Sequence, residues 1–202
     1  MNGRVLQIVT ILALGAVYGC SAARGKPFSP NLVGQQRYLC CNMTFSKNNE
    51  ASDSNYAQYL SGIHKYEAGS MLPAGTKVTV TKVGQWGVQF RPDDSQEIYT
   101  LGFSYGWKHL DRSKYFENVL RETDPVAAVT PSSPAIATAI KEGRLVSGMT
   151  RNEALLARGY PPAHKTPNLE ANEWIYYETP GFMERIVFLD GKITSMTREE
   201  AD

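Results

Sequence analysis

Residues 183–197, MERIVFLDGKITSMT, place an Asp-Gly pair between two strand-like runs. Asp-Gly suits the two-residue hairpin turn whose twist matches its flanking strands, because both central residues of that turn adopt positive φ. A turn at Asp190 and Gly191 sets Ile186 and Phe188 on one face of the hairpin and Val187 and Leu189 on the other. EWIYYE, at 173–178, supplies a further strand. A three-stranded antiparallel meander is therefore expected, with one face to be covered by something else.

The cover is written just upstream. Ser133 followed by Pro134 starts a helix, with the hydroxyl free to accept from the first amides and the proline preset for the first turn. Ile136 and Ile140 share one face of it, and Gly143 ends it. GMTRNEALLARGYPP, at 148–162, spells a second helix. Thr150 and Glu153 make a capping box, Leu155 and Leu156 are available for burial, and Gly159 with Pro161 and Pro162 stops the chain. The expected fold class is α+β, a C-terminal helix pair packed on the meander.

This ordered set resembles the BamE-like (SmpA/OmlA) family of outer-membrane lipoproteins. The shared pattern is Gly-Met-Thr before the second helix, Gly-x-Pro after it, Trp-x-Tyr on the first strand and Phe-x-Asp-Gly in the hairpin. In this chain it falls on Gly148, Thr150, Gly159, Pro161, Trp174, Tyr176, Phe188 and Gly191. The resemblance implies fold and compartment; each of these residues also reads as a cap, a turn or a core aromatic.

The region before it looks β-rich. LPAGTKVTVTKV at 72–83, QWGVQF at 85–90 and EIYTLGF at 97–103 read as strands separated by turn residues. Pro-Ala-Gly-Thr-Lys-Val-Thr-Val before a hairpin resembles a segment of bacterial Src-homology-3-type barrels. DRSKYFENVLRE, at 111–122, reads as a helix with Tyr115, Phe116, Val119 and Leu120 as its apolar stripe. SKNNEASDSNYAQYLSG is ambiguous. RETDPVAAVTPSSP, at 121–134, lacks the apolar periodicity that would weld the two regions, so they are expected to unfold independently.

At the N-terminus, residues 5–19 are apolar apart from Gln7 and Thr10, after a head carrying Arg4. A membrane-spanning helix needs about 20 apolar residues, so about 15 are short of a span and read as an export signal. The run ends Val17-Tyr18-Gly19-Cys20, which resembles the lipobox of bacterial lipoproteins. That resemblance implies lipid on Cys20, anchorage by two or three acyl chains and, from Ser21, sorting to the outer membrane. The expected organisation is signal peptide 1–19, lipidated tether 20–36, β-rich domain 37–122, linker 123–133 and BamE-like domain 134–202.

Net charge is +1 and charged residues make up 20% of the chain, so no basic excess argues for nucleic acid. With Cys20 consumed by lipid, two cysteines remain, Cys40 and Cys41. Strand neighbours point to opposite faces, and a bond between them needs an unusual local geometry. Buried thiols, a vicinal disulfide and a reactive or intermolecular role all stay open. His64, His109 and His164 are scattered without metal-ligand spacing. Cys41 with His64 or His109 is the remaining thiol–imidazole candidate, but the residues around it lack the peptidase pattern. Asp93 and Asp94 read as a solvated loop. Tyr99, Phe103, Tyr105 and Trp107 recur at even spacing and form either a core face or a binding strip for a peptide, glycan or protein.

The expected function is a non-catalytic lipoprotein, anchored in the outer membrane through Cys20 and facing the periplasm. It would act as an envelope scaffold or adaptor for a protein partner, with no metal or cofactor. A module for cell-wall peptide or glycan, or an inhibitor of a periplasmic enzyme, is the alternative.

Overall fold

The computed structural model describes residues 30–47, 54–58, 70–84, 87–102, 112–179 and 181–201. Two buried apolar clusters organise them. The architecture is α+β.

The first cluster belongs to an eight-stranded sheet of order β4-β2-β3-β7-β6-β5-β1-β8. Its strands are β1 (Gln36–Leu39), β2 (Met43–Lys47), β3 (Ser54–Gln58), β4 (Ser70–Leu72), β5 (Lys77–Val83), β6 (Gly87–Pro92), β7 (Ile98–Gly102) and β8 (Leu120–Arg121). The three expected strands β5, β6 and β7 pair antiparallel in chain order. The alternation of β5 is imperfect because Thr81 is bulged out: Val80 faces Phe90, and Lys82 then faces Gln89. One extra residue resets the pleat, so Val83 still packs on the core.

Two features depart from the sequence reading. The ambiguous polar stretch contains β3, which runs parallel to β7 from Ser54↔Ile98 to Gln58↔Gly102. The helix expected over 111–122 is shorter: α1 spans Arg112–Val119, and Leu120 and Arg121 extend into β8 against β1. Leu120 is buried as expected of the apolar stripe, but it packs from a strand, because pairing with Leu39 completes the sheet edge.

The second cluster belongs to α2 (Pro134–Lys141), α3 (Arg151–Arg158), β9 (Glu173–Thr179), β10 (Phe182–Leu189) and β11 (Lys192–Glu200), the strands in order β11-β10-β9. Ser133 Oγ accepts from the Ile136 amide at 3.2 Å, so α2 starts where its signal is. The α3 box is complete: Thr150 Oγ1 accepts from Glu153 N–H at 3.3 Å, and Glu153 Oε2 accepts from Thr150 N–H at 2.6 Å. Asp190 and Gly191 take φ of 49° and 76°, which closes the hairpin. Trp174, Tyr176, Ile186, Phe188 and Ile193 bury one face of the sheet against Ile136, Ala139, Ala154 and Ala157 of the helices. Burying a large apolar side chain is worth about 1.5–3 kcal/mol, so Trp174, Tyr176 and Phe188 are large contributors to the unit's apolar gain.

The two clusters touch through a polar clamp that no apolar pattern announces. Asn42, in the β1–β2 connection, donates its backbone N–H to Leu156 O at 3.0 Å. Its amide group donates to Ile140 O and, at 3.3 Å, to Ala157 O, while Oδ1 accepts from Ala74 N–H at 2.8 Å. Tyr160 packs against the first cluster. The 123–133 stretch is held at both ends: Asp124 and Val126 lie over Gly75, and Ser132 donates twice to the buried Glu153.

The opposite-face argument does not apply to the cysteines. Cys40 and Cys41 lie past the end of β1, in the bend before β2; both are buried in the first cluster, and their sulfurs pair as a vicinal disulfide.

Candidate functional site

The structure brings the eight resembling residues together as one interlocked frame around the helix pair. Gly148, at φ +87°, donates its N–H to Ile193 O at 2.8 Å, and Ile193 returns its own N–H to Met149 O at 2.8 Å. The Gly-Met-Thr segment thus pairs with the start of β11, with Thr150 opposite Lys192. At the other end of α3, Tyr176 Oη donates to the Gly159 carbonyl at 2.8 Å, and Pro161 is buried just beyond. Trp174 Nε1 donates to Leu169 O at 3.0 Å, and its ring centroid lies 4.7 Å from that of Phe188. Buried Tyr and Trp polar atoms need such partners, and here the partners are the loop and cap carbonyls that the same motif creates.

Two arginines complete this frame, and the sequence reading passed over both. Arg151 donates to Glu170 O (3.2 Å), Ala171 O (3.0 Å) and Asn172 Oδ1 (3.1 Å), with its guanidinium carbon 4.7 Å from the Phe188 ring centre. Arg158 is buried, sits 4.9 Å from the Tyr176 ring centre and pairs with Glu184. Both are within cation–π range. The signal was available: Arg151, Leu155 and Arg158 recur at helical spacing on one face of α3, the face turned toward the aromatic strands.

Glu153 is buried, which raises its carboxyl pKa. The amides and hydroxyls of Thr150 and Ser132 outweigh that and hold it below the ordinary glutamate value. On the opposite face of the meander, Arg185 is clasped by Glu199, at 2.7 and 2.9 Å, and by Glu173. Hydrogen bonding to Glu199 raises the Arg185 pKa, and the same bonds lower that of Glu199. Ile175 and Val187 flank this ladder half-buried, and Leu189 on the same face is 62% exposed. Most polar atoms of the frame are used internally, the buried Nε atoms of Arg151 and Arg158 excepted, whereas the outer face presents aliphatic and charged groups to solvent.

Of the other candidates, Tyr99 belongs to the core. Its ring lies edge-on to Phe45 at 4.8 Å and stacks on Phe90 at 5.9 Å, with Oη donating to Glu97 at 2.7 Å. Phe103, Tyr105 and Trp107 lie outside the described residues, as do Cys20, Ser21, His64 and His109. His164 Nε2 is 2.8 Å from Tyr177 Oη, and Cys41, the candidate thiol, is bonded to Cys40. Asp93 and Asp94 are exposed in the β6–β7 turn, as expected, and Asp93 also accepts from Thr79 Oγ1 at 2.9 Å and Gln36 Nε2 at 3.2 Å, tying β1 to that turn. Among the described residues no group of three His, Cys, Asp or Glu could hold a metal ion, and no helix is long and apolar enough to cross a membrane.

Comparison with protein-family models, with curated proteins and with solved structures finds no match for the chain.

Proposed function

We propose that the protein is an outer-membrane lipoprotein, anchored through lipid on Cys20 and facing the periplasm, that acts as a non-catalytic envelope scaffold or adaptor. The observation that carries this reading is the basic head and apolar run that stop at Gly19-Cys20. A thiol at that point can take a diacylglycerol, and cleavage before it frees an amine for a further chain, giving the two or three chains that stable anchorage needs. The C-terminal unit is read as BamE-like on its motif residues, whose mutual hydrogen bonds suit a rigid frame, and the β-rich unit as a barrel of Src-homology-3 type, supported by the β5–β6–β7 run. The outer face of the meander, with Leu189 beside the Arg185 ladder, suits contact with a protein partner.

The test is Cys20→Ser. The variant is expected to lose incorporation of labelled palmitate and to move from the membrane pellet to the soluble periplasmic fraction. Retention in carbonate-washed membranes would identify the segment as an uncleaved anchor and sink the reading. Crosslinking of the anchored protein in intact envelopes then identifies the partner.

A further inference from the structure

Cys40 and Cys41 immediately precede Asn42, the residue whose hydrogen bonds reach both helices of the C-terminal unit and the turn before β5. The Cys40 N–H is itself tied to Val119 O at 2.9 Å, at the end of α1. The pair therefore sits where the β1–β2 connection, the α1–β8 corner and the contact between the two cores converge. We propose that the Cys40–Cys41 bond is a redox-controlled lock on that contact: oxidised, it holds Asn42 in its clamp; reduced, it lets the two cores part.

The physical argument starts from packing. Both sulfurs lie in a buried cluster with Leu39, Met43, Val119 and Leu120, and interiors packed to crystal density have no slack for displaced atoms. Two thiols in van der Waals contact need more separation than two bonded sulfurs. When the bond opens, the short connection must move, and Asn42 moves with it. The clamp consists of directed hydrogen bonds, which weaken steeply with misalignment, so a small shift of one backbone segment acts on several of them at once. The reductant is a dithiol. One of its thiolates attacks a cysteine sulfur and displaces the other, the second thiol closes the reductant to its own disulfide, and Cys40 and Cys41 each leave with a proton. Because the sulfurs are buried, exchange waits on local opening of the connection, so the device answers to sustained change in redox poise.

The experiment uses the full chain carrying Cys20→Ser, which leaves Cys40 and Cys41 as its only cysteines and makes the result independent of the lipid anchor. Alkylation under denaturing conditions, before and after dithiothreitol, is followed by intact mass. Calorimetric unfolding of the oxidised and reduced forms is recorded in parallel. Without reductant, neither cysteine is expected to alkylate and the two cores are expected to unfold in one transition; after reduction both alkylate and the transition splits in two. Asn42→Ala should split the oxidised protein in the same way, and a Cys40→Ser/Cys41→Ser variant should be split and indifferent to dithiothreitol. Alkylation of both cysteines without reductant would overturn the proposal. So would an unfolding profile unchanged by reduction, even if Asn42→Ala splits it. Should the double-serine variant fail to fold, the oxidised and reduced forms of the same chain still decide.

Discussion

In the meander every strand pairs with its neighbour in sequence, β9 with β10 and β10 with β11, through turns of a few residues. In the larger sheet, β1 pairs with β5 and with β8, and β3 lies parallel to β7. The C-terminal unit is thus assembled from local decisions, each closed by a cap or turn within reach of its own residues. The β-rich unit depends on pairings between segments far apart in the chain, whose loop entropy must be overcome before the contact rewards it. Two units of one chain, both centred on buried aromatic residues, thus differ in how much of their order is local. Local contacts also favour fast folding, so the C-terminal unit is expected to form first.

The contrast is tested most severely by Trp174→Ala. Removing this buried ring costs about 3–5 kcal/mol, a large part of the 5–15 kcal/mol typical of a folded protein. Hydrogen exchange read by mass spectrometry in mild denaturant, with Cys40 and Cys41 reduced so that the clamp is released, should show protection lost over 134–201 before the strands of 36–102. Equal loss in both regions of the reduced variant would mean that the two cores form one cooperative body even without the clamp.

A pair of glycines separates local from tertiary cost. Gly75 and Gly191 share φ +76°, but a Cβ on Gly191 would approach only Arg151, at 4.0 Å, whereas on Gly75 it would lie 2.7 Å from Asp124 Oδ1 and 2.8 Å from Val126 Cγ2. Gly191→Ala should cost about 1–2 kcal/mol, the backbone strain alone. Gly75→Ala adds overpacking of about 1–3 kcal/mol against the linker. Chemical denaturation of the two variants measures the difference. Equal costs would show that the linker does not bear on the β4–β5 turn in solution.

Glu153→Gln is expected to cost about 1–2 kcal/mol at neutral pH, no more than Gly191→Ala, from weakened capping and weakened bonds to Ser132. The native Glu153 pKa is depressed, so its contribution is complete above the ordinary value of 4.5 and is lost as pH falls below that, through the native value. Melting from pH 7 down to about 3 should fall less steeply for the variant than for the native chain, because glutamine does not titrate there. Parallel curves would remove Glu153 as the source of that slope.

How much of this was legible follows the same division. Ser133, Thr150 with Glu153, and Asp190-Gly191 each carried a reason to start or turn an element, and each does so. The α1 boundary was missed because Leu120 satisfies a helical stripe equally well, and only Leu39 opposite it makes a strand. The buried character of the candidate site was readable in Trp174, Tyr176 and Phe188. The hydrogen bonds joining Tyr176 to Gly159 and Trp174 to Leu169 were not, since spacing along the chain does not say which carbonyl a ring will reach.

The helix pair, its caps and the Asp-Gly turn of the meander are written in the chain, since those features are satisfied by groups a few residues apart. The pairing register, in contrast, shifts between Val187 and Phe188 and between Phe182 and Met183, which no local signal announces. It takes the assembled fold to join β1 to β5 and β8, to pair Cys40 with Cys41 past the strand end, to set Asn42 between the cores and to bring Asp93 to β1. In each of these a polar group, a thiol or a strand edge finds its partner across the fold, and no local period records such a distance.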